Sequence, residues 1–266
     1  MFNTSTQYVY SSSNSSFTAF PLFSDIIVCE NRCLLIDILD TETLALAELS
    51  NHIKDNALWK TMFKARWRNF TNSTHGKKWI EIYIEKHLSE KLETMKPIEY
   101  NDEKMRQIIE LCSPFVKELK INHLVASVDN IEPTNDHIPF DIILTNLNEL
   151  KALSITYDCK SIGTLFYLGC TQITENDLKQ FVKGLSHCHE LRELKFHSSK
   201  LETPMLKLIA RALDKGTSLT TLAFPNCRFG DSGLLDFIKV LTHDSLPNIK
   251  HIILTNNFIC KLSYER

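Results

Sequence analysis

Apolar residues in the second half of the chain recur in one spacing, L-x-x-L-x-L. Leu191, Leu194 and Phe196 are followed 28 residues later by Leu219, Leu222 and Phe224, and 30 residues after that by Ile249, Ile252 and Leu254. Upstream, Leu150, Leu153 and Ile155, and before them Val116, Leu119 and Ile121, fit the spacing more loosely, which gives five candidate copies. Within each copy apolar and polar positions alternate, and that alternation predicts a strand with one buried face. Between copies the apolar spacing changes to three and four, which predicts helices. Thr174-Glu175-Asn176-Asp177 has the form of a capping box before Leu178, Phe181, Val182 and Leu185. Thr203 followed by Pro204 predicts a cap and then proline at the first helical position, and Asp231 or Ser232 is placed to cap a helix through Leu234, Leu235, Ile238 and Leu241.

A strand and a helix repeated at this period predict an α/β fold, the leucine-rich-repeat solenoid of ribonuclease-inhibitor type, with a parallel sheet inside and helices outside. Each clear strand is followed by a residue suited to the ninth motif position, Ser199, Cys227 or Asn257, with Asp158 in the second copy. A small polar group turned inward there satisfies backbone atoms left unpaired where the chain bends, so Cys227 is predicted to be structural and not a catalytic thiol. The stretch from Tyr157 to Cys170 lengthens one copy and is predicted to be a surface loop. Pro133, Pro139 and the polar residues between them predict a further loop within 124–147.

Ahead of the repeats the pattern is helical. Leu44, Leu46, Leu49 and Ile53, then Trp59, Met62, Phe63 and Trp67, place an aromatic stripe on one helix. After the break at Asn72, Ser73 and Gly76, a second stripe follows at Trp79, Ile82, Tyr83 and Leu88. Burial habits assign Trp59, Trp67 and Trp79 to packing rather than to a ligand. The Ser-, Thr- and Asn-rich start holds too little apolar surface to offset ordering entropy. The expected organisation is therefore a disordered tail over 1–24, a helical module over 25–100, and a repeat domain over 101–266.

Composition narrows the function. Thirty Lys+Arg against 32 Asp+Glu leave a net charge of −2, which gives no overall attraction to nucleic acid or an anionic membrane. The eight cysteines are irregularly spaced and read as free thiols in a reducing compartment. A start without basic and apolar signal regions, and apolar runs far below spanning length, predict a soluble intracellular protein. Cys29 and Cys33 lack a second pair, and His187-Cys188-His189 falls where a helix ends, so neither predicts a metal site. There is no phosphate-cradling glycine loop and no nucleophile elbow, and Glu81 and Glu85 are spaced as solvated helix-surface carboxylates. The expectation is a non-enzymatic protein without a cofactor.

The working surface follows from strand geometry. With Leu194 and Phe196 turned to the core, Glu193, Lys195 and His197 line the opposite, concave face. The same offset places Glu118, Lys120 and Asn122 there, then Ala152, Ser154 and Thr156. Thr221, Ala223 and Pro225, and finally His251, Ile253 and Thr255, complete the face. It is mixed in charge, and extended concave sheets are the partner-binding surfaces of solenoids.

Residues 59–88 add a specific pattern: Trp59, Arg66-Trp67, His75-Gly76-x-x-Trp79 and Glu85-x-His87-Leu88. With Leu111-Cys112, the segment Tyr157-Asp158-x-Lys160-x-x-Gly163 and the repeats, roughly residues 34–260 resemble the dynein regulatory complex subunit five family, the T-complex-associated testis-expressed leucine-rich-repeat proteins. The resemblance implies a structural subunit of the nexin-dynein regulatory complex in the axoneme of motile cilia and sperm flagella. Its implied partners are other subunits of that complex, with inner-arm dynein and the doublet microtubule as further candidates. The chain departs from the family in lacking a long N-terminal region and in stopping after the fifth strand, where further repeats are expected. A second resemblance, over Asp40 to Trp67 with Asn56-Ala57-Leu58-Trp59-Lys60, is to the latter half of an F-box. It implies instead a substrate receptor of a cullin ubiquitin ligase, although the Leu-Pro opening of that motif is missing.

Overall fold

Each copy of the apolar pattern contains a short strand: β1 (Glu118–Ile121), β2 (Ala152–Ile155), β3 (Glu193–Phe196), β4 (Thr221–Ala223) and β5 (His251–Ile253). The structure, a computed structural model, describes residues 55–68, 76–127, 136–157, 173–213, 218–241 and 246–260, all within the unit Leu44–Arg266. The tail expected over 1–24, the stripe from Leu44 to Ile53, Cys29, Cys33, Asp158 and most of the loop expected from Tyr157 to Cys170 lie outside the described residues.

The strands form a parallel sheet in chain order, β1-β2-β3-β4-β5. Parallel neighbours cannot be joined by a hairpin, so each pair is bridged by a crossover. These crossovers carry α4 (Asp141–Asn146), α5 (Glu175–Leu185), α6 (Thr203–Leu213) and α7 (Asp231–Val240), and α3 (Asp102–Cys112) precedes β1. The helices pack against one another in the same serial order. The result is an α/β arrangement of two layers compatible with a solenoid.

Register lines up the apolar motif positions. Leu119, Leu153, Leu194, Leu222 and Ile252 are successive partners across the sheet, and Ile121, Ile155 and Phe196 form a second row. All but Ile252 are buried, and full burial of such a side chain contributes about 1.5–3 kcal/mol. Aromatic rings continue the rows into the helical layer: Phe181 meets Phe196 edge-on at 5.0 Å, and Phe196 stacks on Phe224 at 5.9 Å.

The helix starts show how local sequence sets the crossovers. Thr174 caps α5, its hydroxyl accepting from the Asp177 amide at 3.1 Å while the Asp177 carboxylate accepts from the Thr174 amide at 2.9 Å, the capping box expected from the sequence. The same carboxylate accepts from the His137 amide at 2.8 Å and thereby ties the preceding connection to α5. Gly184 lies where α5 meets α4, and an added Cβ there would fall 2.8 Å from both the Leu144 side chain and the Phe140 carbonyl oxygen. Only glycine permits that approach.

Three expectations about elements are corrected. Part of the loop expected within 124–147 is helical, because Asp141–Asn146 turns Ile143 and Leu144 into the core between α3 and α5. Helix α6 begins at Thr203 rather than after it, with the Leu206 amide bonded to the Glu202 carbonyl at 3.1 Å. Helix α7 is capped by Gly230, and the Asp231 carboxylate instead accepts from the Cys260 amide at 2.8 Å, stitching one unit to the next.

Among the described residues two further helices precede α3, namely α1 (Asn56–Arg66) and α2 (Trp79–Thr94). Ile84, Leu88 and Leu92 of α2 join the apolar core of the strands, so α2 covers the outer side of β1.

Candidate docking surface

The sheet face turned away from the buried rows carries the residues expected on the concave side. Glu118, Ala152, Glu193, Thr221 and His251 are register partners in one row, and Lys120, Ser154, Lys195, Ala223 and Ile253 in the next. The Thr156 amide bonds to the Ile121 carbonyl and the His197 amide to the Ile155 carbonyl, which extends the register to a third row of Asn122, Thr156 and His197. Glu118, Lys120, Glu193, His197, His251 and Thr255 are exposed, and Asn122, Ser154, Lys195, Thr221 and Pro225 half-buried. Thr156 and Ala223 are buried, a departure from an open surface: both are short and are flanked by longer neighbours, Asn122 with His197 and Lys195 with Ile253.

A hollow of about 420 Å³ opens on this face over β1 to β3, lined by Lys120, Asn122, Ser154, Thr156, Lys195, His197 and Ser198. Ser198 was not among the expected residues. It adopts a left-handed backbone, φ 50°, as do Asn226 at 59° and Asn256 at 56°, the corresponding residues of the next two copies. That turn lifts Ser198 onto the rim, where its hydroxyl meets His197 Nδ1 at 2.8 Å and accepts from Asn226 Nδ2 at 3.0 Å. Its position just before the inward ninth residue was the signal available in the sequence.

Under the rim the ninth-position residues act as expected. Ser199 Oγ accepts from the Tyr157 amide at 3.0 Å and donates to the His197 carbonyl at 3.1 Å. Cys227 Sγ donates to the Phe196 carbonyl at 3.3 Å. Asn257 accepts from the Cys227 amide at 2.9 Å and donates to the Phe224 carbonyl at 2.7 Å. Each copy thus satisfies backbone groups of the one before, and the rim is held in place from below.

The described residues of the 59–88 pattern that carries the family resemblance meet at the β1 end of the sheet. Trp59 is buried and meets Tyr83 edge-on at 5.3 Å, whereas Trp67 and Trp79 are half-buried around Phe63 at 4.8 and 5.5 Å. Trp67 Nε1 donates to Glu90 at 2.5 Å, and Arg66 sits over the Trp67 ring and donates to His87 Nδ1 at 3.1 Å. Because Arg66 only donates, His87 must accept as a neutral ring. Burial, and then the nearby guanidinium, depress the His87 pKa to about 4.

Glu85 overturns the solvated-carboxylate expectation. It is buried, and Oε1 accepts from the amides of Lys117 at 3.1 Å and Glu118 at 2.9 Å, while Oε2 takes the Lys77 ammonium at 2.8 Å. Burial raises its pKa, with Lys77 and the amides pulling the other way. Burial also works against the Lys77 charge, but Glu85 and Glu118 outweigh it and hold that ammonium above the ordinary lysine range. Glu93, two turns further along, accepts from the Asn122 amide at 2.7 Å. The sequence held the clue, since Glu85, Leu88, Leu92 and Glu93 share one helix face.

Three thiols and a His-Asp pair elsewhere are closed off from solvent. Burial pushes the thiols of Cys112, Cys188 and Cys227 up to about 12, far from a reactive thiolate. His137 Nδ1 contacts Asp177 at 2.8 Å beside the Tyr157 ring, but all three side chains are buried. His187 and His189 are exposed, and no cluster of metal-ligating groups occurs among the described residues. Among the described residues, no helix is long and apolar enough to cross a membrane.

No family model matches the chain. It is similar to dynein regulatory complex subunit 5 of Macaca fascicularis, 24% identical over 216 residues, which cover 74% of this chain and 43% of the relative. It is likewise 24% identical to the protein of that name from Homo sapiens over 208 residues, 71% of this chain and 42% of the relative. The Chlamydomonas reinhardtii protein matches at 24% over 174 residues, 65% of this chain and 42% of the relative. The chain spans less than half the length of these relatives. The similarities bear out the family resemblance read from the sequence.

Proposed function

We propose that this chain, a relative of dynein regulatory complex subunit 5, is a leucine-rich-repeat scaffold subunit of the dynein regulatory complex in the axoneme. In this reading the open face of the sheet docks neighbouring subunits through Glu118, Lys120, Asn122, Ser154, Thr156, Glu193, Lys195, His197, Thr221, Pro225, His251 and Thr255. The chain acts by binding and not by catalysis. The observation that carries the proposal is the similarity, spread over most of the chain, to relatives bearing that name in a primate and an alga. The polar hollow supports the choice of face, since it lies on a rigid sheet whose rim is fixed by the ninth-position hydrogen bonds.

Two measurements test this reading. Tagged protein expressed in ciliated cells is expected in salt-stripped axonemes, and co-elution with a Skp-cullin complex together with absence from axonemes sinks the scaffold assignment. Replacing Glu193, Lys195 and His197 together with alanine is expected to release the protein from axonemes without altering its thermal unfolding. Retention of that variant at wild-type levels rules out the face.

A further inference from the structure

The hollow on the open face is sorted by charge along the strands. Its central row sets Lys120 and Lys195 on either side of Ser154 in register. Neighbouring strands lie about 4.8 Å apart, so the two lysines are rooted about 10 Å from each other. Neither has an ion-pair partner among the described residues, and none of the lining residues is acidic. On one side the row is bordered by Asn122, Thr156 and His197, which supply neutral or titratable hydrogen-bonding groups. On the other side stand Glu118 and Glu193. Glu118 is met by Lys77 at 3.0 Å, whereas Glu193 has no cation within ion-pair distance among the described residues.

We propose that the hollow binds an extended acidic peptide segment of a partner protein, with two carboxylates three residues apart taken by Lys120 and Lys195. In a polyproline II segment, residues three apart project on the same side about 9 Å from one another, close to the separation of the lysine roots. Two separate ammoniums at that spacing suit two single charges. The forked donors that favour a doubly charged phosphate are absent from the lining. Glu193 repels such a segment on one side and confines it to the rows of Lys195 and His197. This inference rests on the open face being the docking surface.

The test is fluorescence anisotropy of labelled hexaglutamate with the purified full chain, beside hexalysine and a singly phosphorylated neutral peptide. Hexaglutamate is expected to bind, hexalysine and the phosphopeptide are not, and the affinity is expected to fall steeply with salt. Lys120→Gln and Lys195→Gln should each weaken binding about two- to fivefold, the range of a part-exposed ion pair, and Glu193→Gln should tighten it by about twofold. Circular dichroism melts that match the wild type confirm folded variants. Hexaglutamate affinity that ignores both lysine substitutions overturns the proposal, as does preferential binding of the phosphopeptide or hexalysine. The two failures are distinguishable. If the peptide ignores the lysines while the Glu193, Lys195 and His197 triple variant still leaves the axoneme, only the acidic occupant is wrong; a triple variant that stays in place removes the docking face itself.

Discussion

At β1 the outer strand edge meets α2, whose Glu85 and Glu93 accept the backbone amides of Lys117, Glu118 and Asn122. At β5 all three strand residues are exposed, and Ile252 is 52% exposed although its register partner Leu222 is fully buried. Phe258, 72% exposed, lies just beyond. The same motif position is therefore core in one unit and surface in another. Burial here is supplied by the following neighbour and not by the unit itself, as expected of a fold that grows by nearest-neighbour contacts. The β1 edge needs a different remedy, because its orphan amides require acceptors and not merely apolar cover.

This contrast can be broken at several points. Glu85→Ala strips two edge amides of their acceptor and leaves Lys77 facing only Glu118, and breaking a buried pair in this way is expected to destabilise by about 3–5 kcal/mol in urea unfolding. A loss under about 1 kcal/mol would show that α2 is not what secures the edge.

Acid should weaken the same end. An unfolded imidazole gains its proton near the ordinary value of 6.5, whereas folded His87 resists until about 4. The unfolded state therefore binds more protons across that window, and stability falls as pH drops through it, by roughly 3 kcal/mol at most. His87→Gln should flatten this component, and an unchanged pH profile in that variant would assign the acid sensitivity to other groups.

Toward the other edge the effects shrink. Asn257→Ala removes bonds to the Cys227 amide and the Phe224 carbonyl in a half-buried turn, for an expected loss of about 1–2 kcal/mol by thermal melt. Ile252→Lys with Phe258→Lys should move stability by less than about 0.5 kcal/mol. Light scattering of that double variant should show less self-association at high concentration, and a large drop in melting temperature would mean that these side chains are packed after all.

The strands, their register and the rows of the open face were legible because a six-residue apolar motif with period-two alternation leaves little choice of face. Ser199, Cys227 and Asn257 were legible for the same reason: bending after a strand leaves backbone groups to satisfy, and only inward polar or thiol groups reach them. Glu85 was misread because a glutamate on a helix is ordinarily solvated. It turns inward only because its helix neighbours Ile84 and Leu88 pack into the core and the β1 amides await an acceptor. The helix Asp141–Asn146 was hidden by its shortness and by Pro139 beside it, and is held by contacts with α3 and α5 that local sequence does not encode. Six of the seven residues lining the hollow were legible from the strand offset, whereas Ser198 owes its place on the rim to a left-handed turn and an Asn226 bond that its position before the ninth residue only hints at.

The serial order of the strands also has a mechanical meaning. Among the described residues each strand is bonded to its chain neighbours alone, so a pull applied along the chain passes through these rungs one after another. Under such a load a rung joined by strand pairing alone gives before the β1 rung, which Glu85 and Glu93 also clamp.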